Sequence, residues 1–266
     1  MLAELKPGAE LRAVVNLSKG IERSNMLFCS ELVGSYFPSV DYAVISGPSF
    51  AKEVAHKKPT VLVVASHREH ISIWLRDLLS SERLRLYSST DVMGVELGGA
   101  VKNVIAIASG IIDGLGLGEN PRAGLITRGL FEILKLGASL GAKFETLFGL
   151  AGLGDLVLTC TSNQSRNYTF GYRLGKGESK QEILDSTAGV AEGVWTAPAV
   201  VELANYFKTD IPITEAVVSI LEGKITPKQA VQQLMTRKLK WEWEGVRDLI
   251  SRESRFAGPP DDFQNR

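Results

Sequence analysis

Lys102 and Asn103 stand in the middle of a stretch, Asp91 to Asp113, that is otherwise almost wholly apolar or small. At helical spacing Val101, Val104, Ile105, Ala108, Ile111 and Ile112 form one continuous apolar stripe, which predicts a buried helix capped by Asp91. An ammonium in such a helix is costly unless a partner or a chemical task compensates for it. Gly98, Gly99 and Ala100 precede the pair, and side chains that small suit the close approach of another backbone or a ligand. The bland alternative is a lysine that snorkels to the surface beside packing glycines.

A second group lies downstream. Asp155 follows the glycine-rich run Gly149–Gly154 and is surrounded by Leu153, Leu156, Val157 and Leu158, so it needs a cationic partner, for which Lys102 is the natural candidate. Ser165, Arg166 and Asn167 offer a hydroxyl, a guanidinium fork and an amide in three consecutive residues, a set suited to a phosphate or, equally, to a polar loop capping a helix. Two turns, Lys19-Gly20 and Gly47-Pro48-Ser49, directly follow predicted strands. At the carboxyl edge of a parallel sheet such turns aim backbone N–H groups at an anion, although plain turn chemistry gives the same residues. Glu192, in the loop Gly189–Gly193, either hydrogen-bonds a ribose or is solvated. His56, His67 and His70 are scattered without a third ligand, so no metal is assigned.

The elements that must hold these groups change character along the chain. Short β-branched runs at 13–17, 42–45, 60–65 and 84–87 alternate with helical patterns at 24–37 and 69–79, which predicts an α/β layer on a largely parallel sheet. From Asp91 only helical patterns follow: 121–140, 164–174, 180–184, 196–206, 214–221 and 227–235, the last with Thr226 as its cap. Residues 2–11 read as the end of an amphipathic helix. The division expected is 1–90 as the sheet layer, 91–245 as a helical domain and 246–266 as a disordered tail.

The totals are those of an ordinary globular protein. The 266 residues are 44% hydrophobic, and 30 basic residues balance 30 acidic ones, so no global charge points to nucleic acid. Cys29 and Cys160 are too few for a disulfide framework, which fits a reducing, cytoplasmic setting. No uninterrupted apolar run reaches the roughly 18 residues of a membrane span, and no secretory leader is visible.

Taken together, ISGPSFAKEVA at 45–55, VELGGAVKNVIAIASGIIDGLG at 95–116, GLAGLGDLVLTCTSNQSRNYTFG at 149–171, AGVAEGVWTA at 188–197 and IPIT at 211–214 closely resemble the bacterial-type NAD(P)-dependent glycerol-3-phosphate dehydrogenase family. The likeness runs from about Lys6 to Lys240. It implies a Rossmann-type dinucleotide domain, here partial, followed by an all-helical substrate domain. It also implies reduction of dihydroxyacetone phosphate to sn-glycerol 3-phosphate with NADH or NADPH, feeding phospholipid synthesis. By motif, Lys102 is the catalytic acid/base. Lys19, Gly47, Ser49, Lys102, Asp155, Ser165, Arg166 and Asn167 are implied substrate contacts, and Lys19, Ala51, Arg166, Val190 and Glu192 cofactor contacts. A homodimer is left open as the assembly.

One departure accompanies the match. Family members carry a Gly-rich GxGxxG turn after their first strand, and this sequence contains none. The expectation is either a longer natural protein or a truncated chain with poor cofactor binding, marginal stability and an exposed sheet edge. Two other readings stay in play. One is a non-catalytic module that binds glycerol phosphate or a partner protein; the other is a two-domain dehydrogenase of the hydroxyacid or phosphogluconate kind.

Overall fold

The computed structural model describes residues 11–23, 25–187 and 189–244. The expectations for residues 2–10 and for the tail from 246 therefore lie outside the described residues. Among the described residues, four strands, β1 (Ala13–Asn16), β2 (Asp41–Ser46), β3 (Thr60–Ala65) and β4 (Leu84–Ser89), form one sheet in that order. β1 pairs parallel with β2, and β3 with β4, but β2 and β3 are antiparallel, with Ile45 opposite Val64.

The α/β reading holds, then, and the largely parallel sheet expected is a mixed one, with two parallel pairings and one antiparallel. The reason is the connector. A parallel crossover must carry the chain back along a strand of six residues, about 20 Å. The helix between β2 and β3, α2 (Ala51–Ala55), has five residues and spans only about 7.5 Å. The chain turns at Lys57, whose φ is 56°, and runs back beside β2.

Period-2 alternation assigns the two faces of the sheet. Ala43, Ile45, Leu62, Val64 and Leu86 pack against Ile71 and Leu75 of α3 (Glu69–Leu79). Tyr42, Val44, Val63 and Ala65 pack against Val33 of α1 (Cys29–Tyr36) and against Val92 and Val95. The helix expected from Ser24 starts only at Cys29, because Met26 takes a left-handed φ of 58°.

The second face leads directly into α4 (Val92–Gly114). Asp91 caps it as expected, accepting from Gly94 N at 2.9 Å, and its other oxygen accepts from Lys143 N at 2.8 Å. By length and composition alone α4 is apolar enough to cross a membrane, although Glu96 and Lys102 interrupt its apolar run. Its apolar window is, however, entirely buried inside the protein.

Around α4 lie α5 (Glu119–Ser139), α6 (Phe144–Phe148), a π turn (Leu150–Gly154), α7 (Asp155–Cys160), α8 (Arg166–Gly175), α9 (Lys180–Ser186), α10 (Glu192–Tyr206), α11 (Pro212–Leu221) and α12 (Pro227–Met235). α4 and α8 cross at backbone contact. A Cβ on Gly110 would lie 1.9 Å from Tyr168 O, and one on Gly171 1.9 Å from Ile107 O. The core around α4 gathers side chains from α5, α7, α8, α10 and α11.

Candidate active site

Asp155 is the hub of the polar centre. Its place follows from the glycines before it: Gly98 of α4 packs so closely on the π turn that a Cβ there would lie 2.7 Å from Ala151 O. The π turn delivers Asp155, 1% exposed, to the first position of α7 and against the middle of α4. Lys102 Nζ donates to Asp155 Oδ1 at 2.6 Å and to Thr159 Oγ1 at 2.7 Å. The partner expected for Asp155 is thus in place.

A second cation joins it. Lys19 Nζ, from the turn after β1, donates to Asp155 Oδ2 and, at 3.4 Å, to Gly47 O from the turn after β2. One buried carboxylate therefore holds two ammonium groups, one on each oxygen. Burial pushes Lys102 down from its ordinary 10.5 to about 8; Asp155 pulls it up, and the neighbouring Lys19 charge pushes it down again. A proton donor and acceptor that titrates near neutrality is suited to acid–base chemistry.

The remaining groups expected at the site form a second cluster. Arg166 Nη2 donates to Glu192 Oε1 at 2.9 Å, and Asn167 Nδ2 donates to Glu192 Oε2 at 3.3 Å. Asn167 Oδ1 accepts from Gly193 N at 2.8 Å, so this amide ties α8 to the start of α10. Ser165 Oγ caps α8 by accepting from Tyr168 N. Glu192 is not in a loop, as the glycines flanking it suggested, but is the first residue of α10, where the helix dipole favours a carboxylate.

The two clusters meet through small residues. A Cβ on Gly193 would come within 2.6 Å of Asn103 O, next to Lys102, and one on Gly20 within 3.5 Å of Thr196 Oγ1 on the second turn of α10. Ala51 starts α2, and Glu53 of that helix accepts from Gln164 Nε2 at 2.9 Å, just ahead of Ser165. Ser49 donates its hydroxyl to Gly47 O at 3.0 Å. Val190 lies half exposed beside Glu192.

Comparison with known proteins shows which family the chain belongs to. A family model described as NAD-dependent glycerol-3-phosphate dehydrogenase C-terminus matches residues 91–232, and the corresponding N-terminus model matches residues 1–72. The chain belongs to the NAD-dependent glycerol-3-phosphate dehydrogenase family. Glycerol-3-phosphate dehydrogenase [NAD(P)+] of a Synechococcus species is 47% identical over 226 residues, which cover 85% of this chain and 72% of the relative. The enzyme of that name from Lawsonia intracellularis is 49% identical over 243 residues, 90% of this chain and 68% of its own. Among solved structures, glycerol-3-phosphate dehydrogenase from Coxiella burnetii superposes with a TM-score of 0.83 at 46% identity, covering 86% of this chain and 70% of that one.

Thr159 was not singled out in the sequence, although its signal was available. Four residues after Asp155 on a helix, its hydroxyl falls on the same face and meets the same ammonium. No sequence spacing could have paired Lys19 with Asp155 across 136 residues.

Proposed function

We propose that this chain reduces dihydroxyacetone phosphate to sn-glycerol 3-phosphate with NADH or NADPH, with Lys102 as the acid/base. The observation that carries the reading is the Lys102–Asp155–Lys19 centre, set in a chain of this family. The residues present fit the reacting end of such a cofactor: Lys19 and Arg166 supply cations, Glu192 supplies a carboxylate for a hydroxyl, and Val190 and Trp195 offer exposed apolar surface. The cofactor, when bound, supplies the hydride.

The protein's own residues do the rest. Hydride arriving at a ketone carbon leaves negative charge on oxygen, and the Lys102 ammonium donates the proton that neutralises it. In the reverse direction the neutral amine accepts that proton. Asp155 and Thr159 hold the ammonium in place, and Lys19 adds a second positive charge beside it. Ser165, Arg166 and Asn167 take the phosphate, with Gly47 and Ser49 closing the substrate side; phosphate binding then positions the carbonyl. Lys19, Ala51, Arg166, Val190 and Glu192 face the cofactor.

In this reading the layer up to about residue 90 serves the cofactor and residues 91–245 serve the substrate and the chemistry. It includes assembly as a homodimer through exposed apolar side chains such as Met235, Leu239 and Trp241, and residence in the cytoplasm, consistent with the unpaired Cys29 and Cys160. A purely binding module is not favoured, because the relatives described above carry dehydrogenase names. NADH and NADPH oxidation with dihydroxyacetone phosphate tests the reading, on this chain and on Lys102→Ala. Turnover that disappears in the variant supports it; a folded wild-type chain without turnover overturns it.

A further inference from the structure

Glu96 is a buried carboxylate, 6% exposed, that the chemistry above does not use. It lies on α4 six residues before Lys102, about 9 Å along the helix axis. Its side chain leaves α4 for the sheet layer. Glu96 Oε1 accepts from Ser30 N at 3.0 Å and from Tyr42 Oη at 2.6 Å, and Oε2 accepts from Ser30 Oγ. Ser30 is in the first turn of α1 and Tyr42 is in β2, so one carboxylate joins three elements. Tyr42 is held in turn, its carbonyl accepting from Ser66 Oγ at 2.6 Å beyond the end of β3.

The direction of this clamp matters because Glu96, Gly99 and Asn103 share one face of α4 at helical spacing. One turn beyond Glu96, a Cβ on Gly99 would lie 3.1 Å from Ser46 Oγ and 3.4 Å from Lys19 Cγ. The next turn carries Lys102. The face that Glu96 pins is thus the one on which α4 meets the turns bearing Lys19 and Gly47. Apolar contacts such as Val95 on Val44 hold the layers together but tolerate sliding, since dispersion has little directionality. A carboxylate bonded by an N–H, a hydroxyl and a phenol does not, because a small displacement would strand buried donors.

We infer that Glu96 is a positioning residue: it locks α4 to α1 and β2 and so sets the register in which Lys102 and Lys19 meet on Asp155. The catalytic half of this inference rests on the function proposed above; the positional half does not.

The test therefore reads both. Glu96→Gln, Glu96→Ala, Tyr42→Phe and Ser30→Ala are compared with the wild type. First, acetylation of the Lys102 amine is followed by peptide mass spectrometry as a function of pH, without substrate or turnover. The inference expects the labelling midpoint of Lys102 to rise by about one pH unit or more in Glu96→Ala, as the ammonium slips toward water. Smaller shifts are expected in Tyr42→Phe and Ser30→Ala, and Glu96→Gln, which keeps an acceptor for Ser30, is expected to shift least. Second, kcat is expected to fall about 10- to 100-fold in Glu96→Ala, with KM for NAD(P)H within about twofold.

A Glu96 that only stabilised the fold would lower the melting temperature and leave the Lys102 midpoint in place; that result in a folded Glu96→Ala overturns the inference. Should Glu96→Ala fail to fold, Tyr42→Phe and Ser30→Ala each remove one bond and decide the matter. A wild-type chain with no turnover overturns the functional reading alone, while the labelling shift still decides whether Glu96 positions Lys102.

Discussion

Replacing Lys102 with methionine separates the cost of burying this cation from its use. The folded chain holds Lys102 at about 8 against an ordinary 10.5. Those two and a half decades correspond to about 3 kcal/mol at 1.36 kcal/mol per decade. Between pH 8 and 10.5 the unfolded chain keeps a proton that the folded chain has released, so stability rises with pH through that window. Below pH 8 both states are protonated and the cost is fully present. Methionine has similar length and no charge, and Asp155 keeps Lys19 as a partner, so the variant does not strand the carboxylate. Lys102→Met is therefore expected to fold and to lose about 10²- to 10⁴-fold in turnover. Relative to the wild type it should lose about 3 kcal/mol of stability between pH 7.5 and 10.5. Urea unfolding of both proteins across that range measures this, because titrations remote from the Lys102–Asp155–Lys19 centre are common to both and cancel. In the wild type, reduction of the ketone should decline above about pH 8, where the donor loses its proton, and oxidation of the alcohol should rise through the same pH. Parallel stability curves for the two proteins would refute the reasoning.

Other consequences follow from the same contacts. Asp155→Asn removes the carboxylate between two ammonium groups, so it should cost about 3–5 kcal/mol at pH 7 by chemical denaturation and recover part of that loss at pH 10. Gly193→Ala puts a Cβ 2.6 Å from Asn103 O and should push α10 from α4, raising KM for cofactor and lowering the melting temperature. Gly34→Ala in α1 meets nothing within 4 Å and should raise stability by about 1 kcal/mol, a control for helix propensity alone. Glu192→Gln breaks a half-exposed pair with Arg166, so stability should change by less than about 1 kcal/mol while KM for NAD(P)H rises severalfold; an unchanged KM in a titration of initial rates would remove Glu192 from the cofactor side.

Much of this protein is legible one segment at a time. The 3.6-residue period places α3 at Glu69–Leu79 and α4 within one residue of its expected start, because apolar stripes and an Asp91 cap are local properties. The burden on Lys102 is legible too, since an ammonium amid Val101, Val104 and Ile105 needs a partner wherever the helix is buried. Even Thr159 lies within reach of such reasoning, one helical turn from Asp155. What sequence spacing could not supply is every contact that depends on how separate elements stack. The antiparallel β2–β3 pair hangs on a helix too short to carry a crossover. Glu192 joins α10 rather than a loop because Asn167, from α8, bonds to Gly193 N. Lys19 and Glu96 find their partners only when the sheet layer is laid against α4, which brings together groups 136 and 66 residues apart. Periodicity is set by the geometry of one backbone, whereas the partners of a buried charge are set by the packing of several.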